Sequence, residues 1–243
     1  MTPKTRALER DEELAGLAAR ASACEQCPQL VESRSQVVFG AGNASAQLMF
    51  VGEAPGASED REGVPFVGAS GKLLDTLLEE IGLSRQEVFI ANVLKCRPPE
   101  NRDPRPDEVA NCSPWLEAQL AIVEPALVVT LGNFATRLLR GDPAPIGKVR
   151  GRAEVVAVGS RSVRLYPLFH PAAALYRRPN LELLREDFAR IPGLLELGPP
   201  DQPRDEPVPK APVPEGDREP AREADEEPAP AADEPSGGQL GLF

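Results

Sequence analysis

Short apolar runs alternate along the chain with amphipathic stretches, the pattern of βαβ units built around a largely parallel sheet. Residues 48–51 (LMFV) read as a strand, 71–81 (GKLLDTLLEEI) as a helix and 88–93 (VFIANV) as a second strand. A helix over about 106–123 carries Trp115 and Leu116, and is followed by a strand at 126–131 (ALVVTL) and a short helix at 134–139. The last strand is 163–169 (VRLYPLF), paired with 154–158 as a hairpin, and 181–195 is the closing helix. No internal repeat interrupts this order.

From residue 198 the pattern ends. The stretch 198–243 is Pro, Glu, Asp and Ala with almost nothing large and apolar, and holds 11 of the chain's 27 prolines. Such a composition cannot bury enough surface to offset its ordering entropy, so a disordered tail is expected. It also carries most of the charge. The chain of 243 residues has a formal charge of −11; the tail has 12 acidic and 4 basic residues, net −8, which leaves −3 for residues 1–197. A nucleic-acid partner is therefore not excluded by the acidic total. The predicted organisation is a domain at 1–197, an acidic Pro-rich linker at 198–238 and a separate tip, Gln239-Leu240-Gly241-Leu242-Phe243. That apolar tip on a solvated tether has the form of a docking peptide.

No run of about 18 apolar residues occurs and the first residues, MTPKTRALERDEEL, hold no apolar signal core, so the expectation is a soluble cytoplasmic protein with no membrane contact. In that compartment four cysteines point to metal or cluster ligation rather than disulfides. They stand as Cys24-x2-Cys27, then Cys96, then Cys112. Four thiolates suit zinc and a 4Fe–4S cluster equally.

In an open parallel sheet ligands sit beyond the carboxyl ends of the strands. The first strand runs into Gly52-Glu53-Ala54-Pro55-Gly56, the second ends at Asn92, the third at Gly132-Asn133 and the fourth at His170-Pro171. A carboxylate, an amide and the chain's single imidazole thus gather on one rim. The loop 59–68 adds Phe66 between Pro65 and Val67, either a core plug or a stacking platform for a planar ligand whose edge Asn92 would read. Each residue alone has a plain structural explanation. Their convergence points to a site for a planar heterocycle.

GEAPGASEDREGVPFVGASGKLLD, FIANVLKCRPPENRDPRPDE, LGN, IGKVRG and LFHPAAALYRRP, in this order and with this cysteine spacing, resemble the successive motifs of the type-4, iron–sulfur uracil-DNA glycosylases over roughly residues 24–195. The resemblance implies a three-layer α/β/α sandwich around a central four-stranded, mostly parallel sheet. It implies hydrolysis of the N-glycosidic bond of uracil in single- and double-stranded DNA, leaving an abasic site, with the base flipped out of the stack.

Carried over by residue, Phe66 stacks on the uracil, Asn92 bonds its N3–H and O4 edge, and Glu59 fills the space beside C5. His170, with backbone N–H groups of the turn from Gly52 to Gly56, stabilises the leaving anion at O2. Glu53 positions or deprotonates the attacking water, or stabilises the sugar cation by its charge. With one histidine and no inserted basic loop, a covalent intermediate is not expected, so the enzyme is monofunctional. The resemblance turns the thiol reading toward a single 4Fe–4S cluster on Cys24, Cys27, Cys96 and Cys112, holding the Arg-rich loop 97–105 near DNA.

Leu175, or else Tyr176, is the wedge that fills the gap left by the base, with Arg177, Arg178, Lys148, Arg150 and Arg152 as phosphate contacts. The terminal peptide resembles those that dock repair proteins on the bacterial sliding clamp, through Gln239, Leu240, Leu242 and Phe243. The expected state is a monomer at the nucleoid. Two alternatives stay open: a relative acting on hypoxanthine or xanthine, and a non-catalytic, cluster-stabilised DNA-binding module.

Overall fold

The computed structural model describes residues 2–203; the terminal pentapeptide and nearly all of the acidic linker lie outside the described residues. At its centre four strands run parallel: β2 (Leu48–Gly52), β3 (Phe89–Asn92), β4 (Leu127–Leu131) and β6 (Arg161–Leu168). Two antiparallel strands extend this core, β1 (Ala41–Gly42) against β3 and β5 (Glu154–Val158) against β6, giving the order β1-β3-β2-β4-β6-β5. The four predicted strands and the hairpin all form. Strand β1 is the addition, for two residues are too few to leave a periodic signal.

Side chains alternate across the sheet as a period of two requires. Met49, Val51, Phe89, Ala91, Val128 and Leu165 face one helical layer, made of α1 (Pro3–Ser22), α2 (Pro28–Ser33), α5 (Pro106–Val123) and α6 (Asn133–Arg140). Leu48, Phe50, Ile90, Val129, Leu131, Tyr166 and Leu168 face the other, made of α4 (Ala69–Glu80), α8 (Ala172–Leu175), α9 (Arg178–Phe188) and α10 (Ile191–Leu195). Every residue of β2, β3 and β4 is buried, because helices cover both faces. Three layers result. Two short helices, α3 (Ala57–Glu62) and α7 (Ile146–Val149), lie in the loops at the strand ends.

The closing helix is corrected. The apolar pattern over 181–195 predicts one helix, and the structure has two, α9 and α10, with Pro192 in the first turn of α10. Proline has no N–H to bond backward and its ring collides with the carbonyl four residues earlier, so a helix cannot run through it unbroken. Helix α1, for which the pattern made no prediction, starts where the Thr2 hydroxyl accepts the Thr5 N–H and packs along α5. The folded chain continues past residue 197: the Gln202 amide exchanges hydrogen bonds with the Ser162 main chain at 3.2 and 2.9 Å.

Topology decides where a ligand can sit. From β2 the chain reaches β3 through α4 on one face, then crosses through α5 on the other face to β4, on the far side of β2. Adjacent connections that leave in opposite directions open a crevice at the carboxyl end of the strand between them. That end is Gly52-Glu53.

Candidate active site

Gly52 and Asn92 are partners in the β2–β3 ladder, so both strands finish at the same level. A side-chain carbon on Gly52 would stand 2.4 Å from the Asn92 Oδ1 and 2.8 Å from the Phe66 ring. Only glycine lets the amide and the aromatic ring come together over the strand end. They line one pocket of about 180 Å³ with Ala54, Gly56, Glu59, Ser70 and His170.

Phe66 has φ 54°, the left-handed region that an aromatic residue rarely enters. The surrounding structure holds it there. Arg85 donates to the carbonyls of Pro65 and Phe66 at 2.9 and 2.5 Å and pairs with Asp75 at 2.8 Å. The Glu59 carboxylate accepts the N–H groups of Val67 and Gly68, both at 3.0 Å, at the start of α4. A side chain on Gly71 would lie 1.7 Å from the Phe66 carbonyl oxygen. Strain of this kind costs on the order of 1–3 kcal/mol and persists where neighbours over-determine it. Its product is a ring fixed on one wall of the pocket.

His170 stands beside that ring, centroids 5.5 Å apart and planes at 26°. A heterocycle between two rings needs about twice the ~3.5 Å carbon contact distance, so the gap between Phe66 and His170 does not admit one. Burial lowers the His170 imidazole to about 4, outweighing the Glu59 carboxylate, which acts to raise it, so the ring is neutral at pH 7. The Ala172 N–H donates to Nδ1 at 3.1 Å. A nitrogen that accepts carries no proton, which assigns the proton to Nε2 and makes it a donor.

The Asn92 side-chain amide has no hydrogen-bond partner among the described residues, although the residue is only 2% exposed. An amide so placed has both a donor and an acceptor left for a ligand's edge. Glu53, half-buried, faces a larger adjoining trench of about 690 Å³ that His170, Asp103 and Arg137 also line. Burial pushes its carboxyl above the ordinary range, and the Asp103 carboxylate adds to the rise. The smaller pocket and the larger trench thus meet at His170, which lines both.

All four cysteines line a second, small and largely apolar cavity with Leu30, Val37 and Trp115. Cys24 and Cys27 come from the α1–α2 loop, Cys96 from the segment after β3 and Cys112 from α5. Burial raises the thiols of Cys27 and Cys96, and that of Cys112 to about 11. Two cations border them: the Arg34 guanidinium donates to the Cys96 Sγ at 3.1 Å, and Lys95 lies in the cavity wall. Among the described residues no three His, Cys, Asp or Glu side chains converge as closely as a single metal ion requires. The thiols surround a space rather than a point.

The family model described as "Uracil DNA glycosylase superfamily" matches residues 39–191, a span that includes Gly52, Glu53, Phe66, Asn92 and His170. The chain is also 49% identical over 174 residues to the Type-4 uracil-DNA glycosylase of Sulfurisphaera tokodaii, covering 69% of this chain and 78% of that protein. The Type-4 enzymes of Saccharolobus solfataricus (45%, covering 72% and 83%) and Archaeoglobus fulgidus (44%, covering 69% and 86%) are similar to it over nearly the same range. This chain belongs to the uracil DNA glycosylase superfamily.

Within the superfamily fold, the side chains expected at DNA divide into two groups. Leu175 and Tyr176 close α8 and are 41% and 89% exposed, beside exposed Arg177 and Arg178. Lys148 and Arg152 are exposed as well. Arg150 is not free in this way: it pairs with buried Asp187 at 2.9 Å, donates to the Leu183 carbonyl and lies 5.2 Å from the Phe169 ring centroid. Arg102 similarly forms a two-pronged pair with buried Glu108. Both arginines hold the fold. Sequence reasoning missed Arg85, Gly71 and Lys95, which support the site from behind; only the adjacency of Lys95 to Cys96 hinted at any of them.

Proposed function

We infer that this chain is a uracil-DNA glycosylase, a hydrolase that opens the N-glycosidic bond of uracil in DNA and leaves an abasic site for repair. The observation that carries this reading is one pocket in which a fixed aromatic face, a carboxamide with no partner among the described residues and a neutral imidazole meet. The flipped uracil lies on Phe66. Asn92 accepts from N3–H and donates to O4, a polarity that cytosine reverses. As the bond breaks, negative charge grows on O2, where the His170 Nε2–H donates without having to give up a charge of its own. Glu53, in the adjoining trench, faces the sugar and acts on water or on the developing cation. Glu59, besides fixing the Phe66 loop, lines the pocket where a C5 methyl would fall.

Cys24, Cys27, Cys96 and Cys112 fit a 4Fe–4S cluster better than a single zinc ion, given thiols spread round an enclosed cavity with cations at its edge. Such a cluster supplies a structural cross-link among three chain segments. Leu175 or Tyr176 fills the gap in the duplex, and Arg177, Arg178 and Lys148 meet phosphates. No covalent intermediate is invoked. The terminal peptide, with Gln239, Leu240, Leu242 and Phe243, docks on the bacterial sliding clamp, which keeps the enzyme with DNA in the cytoplasm. Deleting residues 239–243 should abolish binding to that clamp and leave turnover on a short oligonucleotide unchanged.

Uracil release from single- and double-stranded oligonucleotides, read as strand cleavage after alkali, tests the activity. Cleavage at hypoxanthine or xanthine but not at uracil would replace it by a different base preference. Intact DNA binding with no cleavage at any base would make the chain a binding module.

A further inference from the structure

The base pocket and the thiol cavity are joined by a strap, residues 92–96, and each of its members is engaged at one end or the other. Asn92 lines the base pocket. The Val93 N–H donates to the Gly52 carbonyl at 2.9 Å and the Leu94 N–H to the Glu53 carbonyl at 3.0 Å, so the strap also carries the turn that bears the carboxylate. The Lys95 N–H donates to the Cys112 Sγ at 3.2 Å, and Cys96 lines the thiol cavity.

Lys95 is the unusual member. It is 2% exposed, and among the described residues its ammonium bonds to neutral oxygens and to no carboxylate. Its ammonium donates to the Asn92 carbonyl at 2.8 Å and to the Gln119 Oε1 at 2.5 Å. Gln119 is itself fixed, donating to the Phe39 carbonyl at 2.8 Å, and the Phe39 ring centroid lies 5.9 Å from the ammonium. An isolated buried charge is costly unless an opposite charge and hydrogen bonds compensate it. The carbonyl groups supply the hydrogen bonds. Cysteines that held a group in the cavity Lys95 helps to line would do so as thiolates, which would supply the opposite charge.

We propose that Lys95 is a positioning residue that couples the two sites: thiolates of the loaded cavity balance its ammonium, and the ammonium fixes the Asn92 main chain, hence the amide that reads uracil. The proposal rests on the glycosylase reading above. It assigns the thiol site a task beyond cross-linking, since the state of the thiols is felt at the base-reading residue and, through Leu94, at Glu53. The parallel link from Arg34 supports this arrangement: Arg34 holds Cys96, while the adjacent Ser35 N–H donates to Asp60 in α3, the helix that carries Glu59.

Lys95→Met keeps most of the volume and removes the charge. With iron and sulfide content matched to the parent protein, the variant should be inhibited about tenfold more weakly by free uracil and lose turnover by a similar factor, while its KM for DNA holds. Its visible absorption and the rate at which it loses iron to a chelator should change as well. A purely structural lysine would lower the melting temperature and leave uracil inhibition and the spectrum as they were; that outcome overturns the proposal. If Lys95→Met does not fold, iron is stripped from the parent protein, Trp115 fluorescence reports the emptied cavity, and free-uracil binding is measured on the same sample. Binding lost while circular dichroism is kept supports the coupling, and unchanged binding ends it. A parent protein that releases no uracil at all would instead refute the functional reading on which the proposal stands.

Discussion

The base pocket and the thiol cavity lie at opposite ends of the five residues 92–96, yet they are built by opposite rules. The pocket leaves polar groups unspent: among the described residues the Asn92 side-chain amide has no partner, His170 lines the pocket with its Nδ1 already engaged, and Phe66 holds a backbone angle that its own side chain disfavours. The cavity is walled by Leu30, Val37 and Trp115, and its thiols stand beside cations. Unsatisfied groups and strain cost stability and are kept where a ligand will use them. The thiol cavity has a mainly apolar lining instead.

The sharpest way to break this contrast is to alter a group of the pocket and look for damage to the fold. Glu53→Gln should lower turnover by roughly a hundredfold to ten-thousandfold and leave the melting temperature and DNA affinity unchanged. With the Glu53 carboxyl raised, parent activity should fall on its acid side above the ordinary carboxylate range, and the residual activity of Glu53→Gln should lack that limb. A retained limb would move the ionisation elsewhere. His170 is not its source, because its ring stays neutral down to about 4.

Gly71→Ala tests whether the strain at Phe66 is functional. The new carbon would collide with the Phe66 carbonyl, so the loop must move; turnover should drop on the order of tenfold to a hundredfold at a stability cost of about 1–3 kcal/mol. Stability lost without any loss of turnover would show that the angle of Phe66 is incidental. A smaller effect is expected at the wedge. Removing the side chains of Leu175 and Tyr176 together should slow excision from duplex about tenfold and leave single-stranded substrate nearly untouched, since only the duplex has a gap to fill.

The rim arginines should show the smallest effects. Arg177→Ala should weaken binding about equally for all sequences and reduce the salt slope by about 1. Arg150→Ala should lower stability instead, because it strands Asp187, a residue only 1% exposed. If Arg150→Ala changed the salt slope and not the stability, the division of the rim into free and committed arginines would fail.

There is also a pH signature of stability. An unfolded His170 titrates near 6.5, while the native ring resists protonation down to about 4. As pH falls through that window the unfolded chain takes up a proton that the native one does not, so stability declines. His170→Asn should remove this part of the decline in a pH series of thermal melts.

The sequence determined a great deal of this molecule. Runs such as LMFV and ALVVTL are strands because a sheet covered on both faces needs continuous apolar residues, and that demand is local enough to be read. Glu53, Asn92 and His170 were legible because each stands at the carboxyl end of a strand, where topology rather than distance places a ligand. Gly52, Phe66 and the four cysteines were named on motif and spacing. Only the tertiary structure decided which charges are committed. Nothing in IGKVRGR separates Arg150, paired with Asp187, from Lys148, left at the surface, because the partner lies on another helix. Arg85 and Lys95 were silent because their partners, Asp75 and main-chain carbonyls for the one, Gln119 and the Asn92 carbonyl for the other, are brought to them only by the fold.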